Sequence, residues 1–143
     1  MVPAPGSEGE AAEAGFAAGT IRVGAFTESF SAPLGYWDRG AYERSWQRAL
    51  AVLEESPAAT ACLMTSMTDP RTSNFLVCWP LFRGGDIVYV QNRFLFLDDV
   101  GDIDPEAPWR RIGPRETADE EGTRISEWTT SMSALRHFSR QAS

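Results

Sequence analysis

Eight of the nine carboxylates in one segment fall in two runs: Asp98, Asp99, Asp102, Asp104 and Glu106, then Asp119, Glu120 and Glu121. Three kinds of chemistry use such a set. The first is cation binding. A calcium loop of the EF-hand type needs oxygen ligands at alternating positions, a central Gly and a closing Glu. Here Val100 stands two residues after Asp98 and Gly101 comes too early, so the pattern fits poorly. The second is acid–base work by paired carboxylates, as in a small metal-assisted hydrolase built on the 98–121 loop. No residue pattern marks a substrate pocket beside it. The third is binding, because a patch of one sign attracts and steers a surface of the other sign. Residues 97–121 carry nine acids against three arginines, which is −6 of the chain's net −7. Such a balance repels nucleic acid and suits a basic protein partner.

The remaining reactive residues are few. His137 is the only histidine, so any Ser-His or Cys-His system must use it as its base. It sits in the terminal segment beside Arg136 and near Arg140, which lower its basicity, and it is read as an exposed side chain. Cys62 and Cys78 lie on expected strands and are read as buried free thiols, neighbours across a sheet. Two thiols and one imidazole fall short of the four ligands of a structural zinc site. The glycine pairs form neither GxGxxG nor GxxxxGK[ST], so no phosphate loop is present. The residues point to no catalytic set, no metal and no cofactor, and so to a binding or inhibitor protein, with an unrelated regulatory interaction domain as the alternative.

The elements that must position the acids follow from periodicity. Residues 74–97 hold two β-prone apolar runs on either side of Gly84 and Gly85, the signature of a tight hairpin. This hairpin is the expected centre of an antiparallel sheet, with its aromatics in the core. Pro80 has no N–H to donate and should stand at an edge or a bulge, and Asn92-Arg93 interrupts the second arm. Tyr42, Trp46, Ala49, Leu50 and Leu53 recur at helical spacing after Asp38, a capping residue, and before Pro57. They predict one long helix over about 39–55. Strands are expected over 20–27, 59–68 and 123–130. Thr130 or Ser131 should cap a C-terminal helix over about 131–141. Trp109 and Ile112 should pin the acidic connection to the core. Tyr36, Trp37 and Gln91 are candidate contacts by exposure.

The sum is an α+β fold in a single domain, residues 19–143, behind a disordered acidic tail, residues 1–18. A chain of 143 residues with 43% hydrophobic content is long enough for one core. It has no apolar run long enough to span a bilayer and no secretion signal, and two cysteines build no disulfide framework. Cytoplasmic residence without membrane contact is expected.

The ordered set PLGYWDRGAYERSW (33–46), LMTSMTDPRTSNF (63–75), VYVQNRFLFLDD (88–99) and RISEW (124–128) resembles the immunity proteins of bacterial contact-dependent growth inhibition systems. The likeness is to the branch that neutralises tRNA-cleaving toxin domains. It implies a small protein that binds one cognate toxin nuclease and shields it, with no catalytic site of its own. The eight carboxylates would then face the basic active site of the toxin.

Overall fold

A computed structural model describes residues 2–3, 15–23 and 26–136. His137 and Phe138, with the rest of the expected C-terminal helix, lie outside the described residues. Strand β1 (Val2–Pro3) pairs with β2 (Phe16–Val23), and β2 pairs with β3 (Phe26–Pro33). Helix α1 (Arg39–Glu54) leads to β4 (Thr60–Ser66), β5 (Phe75–Gly84), β6 (Ile87–Gln91) and β7 (Arg93–Phe96). A one-turn helix α2 (Leu97–Val100), a 3-10 turn (Pro108–Arg111), β8 (Glu127–Ser131) and the helical residues 132–136, α3, complete the chain.

β5 is the axis of a five-stranded antiparallel sheet. β4 pairs along one side of it. On the other side β6 pairs with its C-terminal half and β7 with its N-terminal half, and β8 adds to β6. The expected hairpin is therefore present, with a second arm broken at Asn92. Its two-residue turn is Gly85-Asp86 rather than Gly84-Gly85, because Gly84 still pairs with Ile87. Gly85 takes φ +68° while Asp86 does not go positive, the φ pattern of a II′ turn. Pro80 is a correction. It sits inside the central strand, paired with Cys62, at the point where β6 has ended and β7 has not begun. The missing N–H falls opposite the break in the second arm, which is why an interior proline is tolerated. The bulge lies elsewhere, at Thr65, where the register with β5 shifts.

The long helix forms as its periodicity requires. Asp38 accepts from the Ala41 N–H at 2.8 Å. Tyr42, Trp46, Ala49, Leu50 and Leu53 are all buried, facing β4. At the C-terminal end, Arg83 reaches across from β5 and donates to the Leu53 carbonyl at 2.7 Å, which satisfies an otherwise free end group. The Trp46 indole N–H donates to the Met64 carbonyl at 2.7 Å. The Tyr42 hydroxyl donates to the Pro33 carbonyl at 2.7 Å and accepts from the Met67 N–H at 2.9 Å. This one side chain ties β3, α1 and the exit of β4.

The N-terminal region corrects two boundaries. Residues 16–18 belong to β2, not to a disordered tail. The run 20–27 is not one strand: β2 ends at Val23 and β3 begins at Phe26, and these two residues pair. β3 was hidden because Thr27, Glu28, Ser29 and Ser31 are exposed, while Phe30 and Ala32 turn inward. Phe30 meets Trp46 edge-on at 6.2 Å and lies flat over Gly19, its cross-strand partner. A Cβ at Gly19 would come within 2.4 Å of that ring, so a larger residue there would have to displace Phe30. The last strand is β8 from Glu127 rather than a run from 123, preceded by an isolated bridge between Ala118 and Arg124.

Candidate functional site

Cross-strand partners share a face, so the register sorts the sheet. Leu63, Trp79, Leu81 and Val90 lie on the face that α1 and β2 cover, and with Leu50 and Ile21 they border one small cavity. Cys62, Cys78, Tyr89 and Gln91 lie on the other. The acidic connection runs from the first side to the second. The Arg115 guanidinium stacks 3.8 Å over the Tyr89 ring and pairs with Glu127, its Nε donating at 2.8 Å. The Gln91 amide donates to the Glu116 carbonyl at 2.9 Å and to the Glu127 carboxylate at 2.8 Å. Ile103 is buried and Trp109 and Ile112 pack against the core, as expected of them. The hydrogen bond from Arg115, with a second from Gln91, holds the Glu127 carboxyl below the usual range despite partial burial.

All eight candidate carboxylates are exposed, and the structure divides them into two groups. Asp98 and Asp99 occupy the first turn of α2, directly after β7. Asp102, Asp104 and Glu106 follow on the side of β4, which the 3-10 turn packs against. Arg111 donates to the Asp102 carbonyl at 2.7 Å, Asp104 accepts from the Glu106 N–H at 2.9 Å, and Glu106 pairs with Arg48 of α1. Asp119, Glu120 and Glu121 form the tip of a turn closed by the Ala118–Arg124 bridge, on the side of β6 and β8. The Asp119 carboxylate accepts from the N–H groups of Glu121 and Thr123 at 3.0 and 2.9 Å, so it shapes the turn it stands in. The 3-10 turn after the first group packs on β4, while the turn that carries the second group is held beside β6 and β8, so the loop presents its acids in two places. Among the described residues no three His, Cys, Asp or Glu side chains gather as a metal site.

Sequence reasoning missed the most distinctive surface. Phe75, Phe94 and Phe96 were expected in the core, yet they are 44%, 59% and 51% exposed. Their rings form one cluster, with centroids 5.3 to 6.1 Å apart. Phe75 pairs with Phe96 and Val77 with Phe94, so the cluster continues the face that α1 covers further along β5. The run Phe94-Leu95-Phe96 is apolar on both faces, which leaves periodicity nothing with which to tell inside from outside. Of the other candidate contacts, Tyr36 is exposed, and Trp37 is half-buried with its ring edge-on to Tyr42 at 5.3 Å. Gln91 is fully buried in the bonds described above and is removed from the set.

Cys62 and Cys78 are buried free thiols. A hydrogen bond to Cys62, together with burial, pushes the Cys78 thiol well above its ordinary range. A protonated, enclosed thiol is a poor nucleophile.

Fold and surface together describe a small α+β binding protein, with two exposed acidic groups and one bare aromatic cluster on a well-packed sheet. The chain belongs to the CdiI N-terminal domain family, which matches residues 32–138. It is similar to the immunity protein CdiI of Enterobacter cloacae subsp. cloacae, at 34% identity over 119 residues, covering 83% of this chain and 81% of that protein. It is also similar to a solved structure, the CdiA-CT/CdiI toxin and immunity complex from Enterobacter cloacae. There the TM-score is 0.82 at 31% identity, covering 89% of this chain and 86% of that one. The family resemblance and α+β architecture read from the residues are therefore correct.

Proposed function

We propose that this protein binds the toxin domain of a cognate contact-dependent growth inhibition system and blocks it by covering a basic nuclease active site. The toxin is an RNA nuclease, in the reading that the resemblance favours one that cleaves tRNA. The protein acts in the cytoplasm of the cell it protects; no helix among the described residues is long and apolar enough to cross a membrane. One observation supports this most directly: the solved relative is a toxin and immunity complex, and this chain shares its fold over 89% of its length. Physical chemistry agrees. A site that grips RNA phosphates must present positive charge, and eight exposed carboxylates offer that charge a competing partner. The hydrolase alternative is disfavoured by the relatives, which are immunity proteins.

The gene upstream should encode a large secreted protein if this reading is right, and the test is co-expression with the C-terminal domain of that protein. Growth should be rescued and the two proteins should co-purify. Purified toxin incubated with tRNA and with ribosomes should cut one of them, and equimolar protein should stop the cutting. Cleavage that continues in a stable complex would refute active-site occlusion, and absence of any complex would refute the pairing.

A further inference from the structure

We infer that Phe75, Phe94 and Phe96 are the apolar anchor of the toxin interface, and that Asp98 and Asp99 are its steering rim. This rests on the function proposed above and says where on the molecule it is carried out. Three exposed rings present roughly 300 Å² of contiguous aromatic surface, given the 150–250 Å² a ring residue can bury. A patch of that size is comparable to the largest apolar patch of an ordinary monomer, which is often functional. Aromatic clusters of this kind supply most of the binding energy in interfaces, while charges at the rim act on encounter.

The surroundings identify the kind of partner. Asp98 and Asp99 follow Phe96 by two and three residues and lie exposed in the first turn of α2. At the other end of the strand row, Asn92 donates to the exposed Glu28 carboxylate at 3.4 Å. Arg93 alternates to the opposite sheet face, opposite Cys78, and adds no positive charge to the patch. The patch is therefore apolar in the middle and acidic at both ends. A second copy of this chain fits it poorly: a two-fold contact sets a patch against itself and would bring Asp98 and Asp99 against their own kind. A basic domain with an apolar recess fits it. The cluster also lies wholly within residues 32–138, the part of the chain that the family shares.

The two components divide the kinetics. Carboxylates at the rim raise the association rate, and buried rings slow dissociation. The experiment uses the neighbouring toxin domain, stripped from the co-purified complex in denaturant, refolded and immobilised, with the full chain in solution. The double variant Phe94→Ala/Phe96→Ala should dissociate at least about 30-fold faster, with association changed less than about threefold. Asp98→Asn/Asp99→Asn should associate several-fold more slowly at low salt, with dissociation nearly unchanged. Phe94→Tyr keeps the ring and should hold the wild-type dissociation rate within a few-fold. Thermal midpoints close to wild type confirm that the variants fold. If wild type binds but the double alanine variant leaves at the wild-type rate, the anchor is elsewhere and the functional proposal stands. If wild type fails to bind, that proposal falls first. A dimer in sedimentation that Phe94→Ala dissolves would assign the patch to self-association and overturn the inference.

Discussion

Near the turn of the hairpin, Trp79, Leu81 and Val90 lie beneath Leu50 of α1 and Ile21 of β2, and Trp79 stacks on Trp128 at 5.6 Å. At the other end, on the same face of the same strands, Phe75, Phe94 and Phe96 stand open to solvent. Residue type, strand propensity and face are alike at the two ends. What differs is the layer above. Leu50 and Ile21 lie over the first set while the three rings stay open, so similar chemistry is core at one end and surface at the other. A large apolar side chain on a strand says that something will cover it. It does not say whether the cover is its own chain or a partner.

The sharpest way to break this comparison is to remove one ring from each end. Trp79, 2% exposed, should cost about 3–5 kcal/mol on Trp79→Ala, through lost burial and an unfilled cavity. Phe94→Ala should stay within about 1 kcal/mol in stability, because little of that ring leaves water on folding. Urea denaturation measures both. Similar losses at the two sites would mean that the aromatic cluster is part of the fold after all.

A smaller effect, and one that tests the covered end alone, is at Tyr42. Burial pushes its phenol up to about 12 from an ordinary value of 10.0, only partly opposed by the hydrogen bond with the Met67 backbone. Between those values the unfolded chain loses the proton and the folded chain keeps it. Stability is therefore complete below pH 10 and falls as pH rises from 10 to about 12. Tyr42→Phe should cost about 1–3 kcal/mol at neutral pH, since the Met67 N–H is left without its acceptor. It should also remove that tyrosine's share of the alkaline decline, which pH-dependent urea midpoints would show.

The smallest expected effect concerns the acidic connection on the opposite face. Arg115 holds Glu127 with its carboxyl lowered, so the pair's stabilisation is present above the ordinary glutamate range and is lost as pH falls through the lowered value. Glu127→Gln should cost about 1 kcal/mol, as partly exposed pairs do. Amide exchange should quicken at residues 112–126 and leave β5 unchanged. Equal quickening in β5 would show that this cover is as integral to the core as α1.

The helix over 39–54 was legible because Tyr42, Trp46, Ala49, Leu50 and Leu53 obey one period, and Asp38 and Pro57 bracket it. The hairpin was legible because glycine at the turn and β-branched or aromatic arms are local signals. β3 was not: Phe30 and Ala32 turn inward among exposed polar residues, and the ring rests on Gly19, a contact that only the paired strand creates. The eight carboxylates were readable as a charged segment. Their division between β4 and the side of β6 and β8 was not, since it depends on the path the connection takes across the sheet.

Sequence by itself determined the long helix and the central hairpin, the packing face of α1, the sign of the surface and the likeness to immunity proteins. All of these rest on local spacing, composition or an ordered set of motifs. Tertiary structure alone decided that Pro80 can stand in a central strand, that Gln91 is buried, and that three phenylalanines of the hairpin face water. Each of those depends on what lies across from a residue or above it. Opposing strands and covering layers are set by the path of the whole chain, and no window of neighbouring residues contains that path.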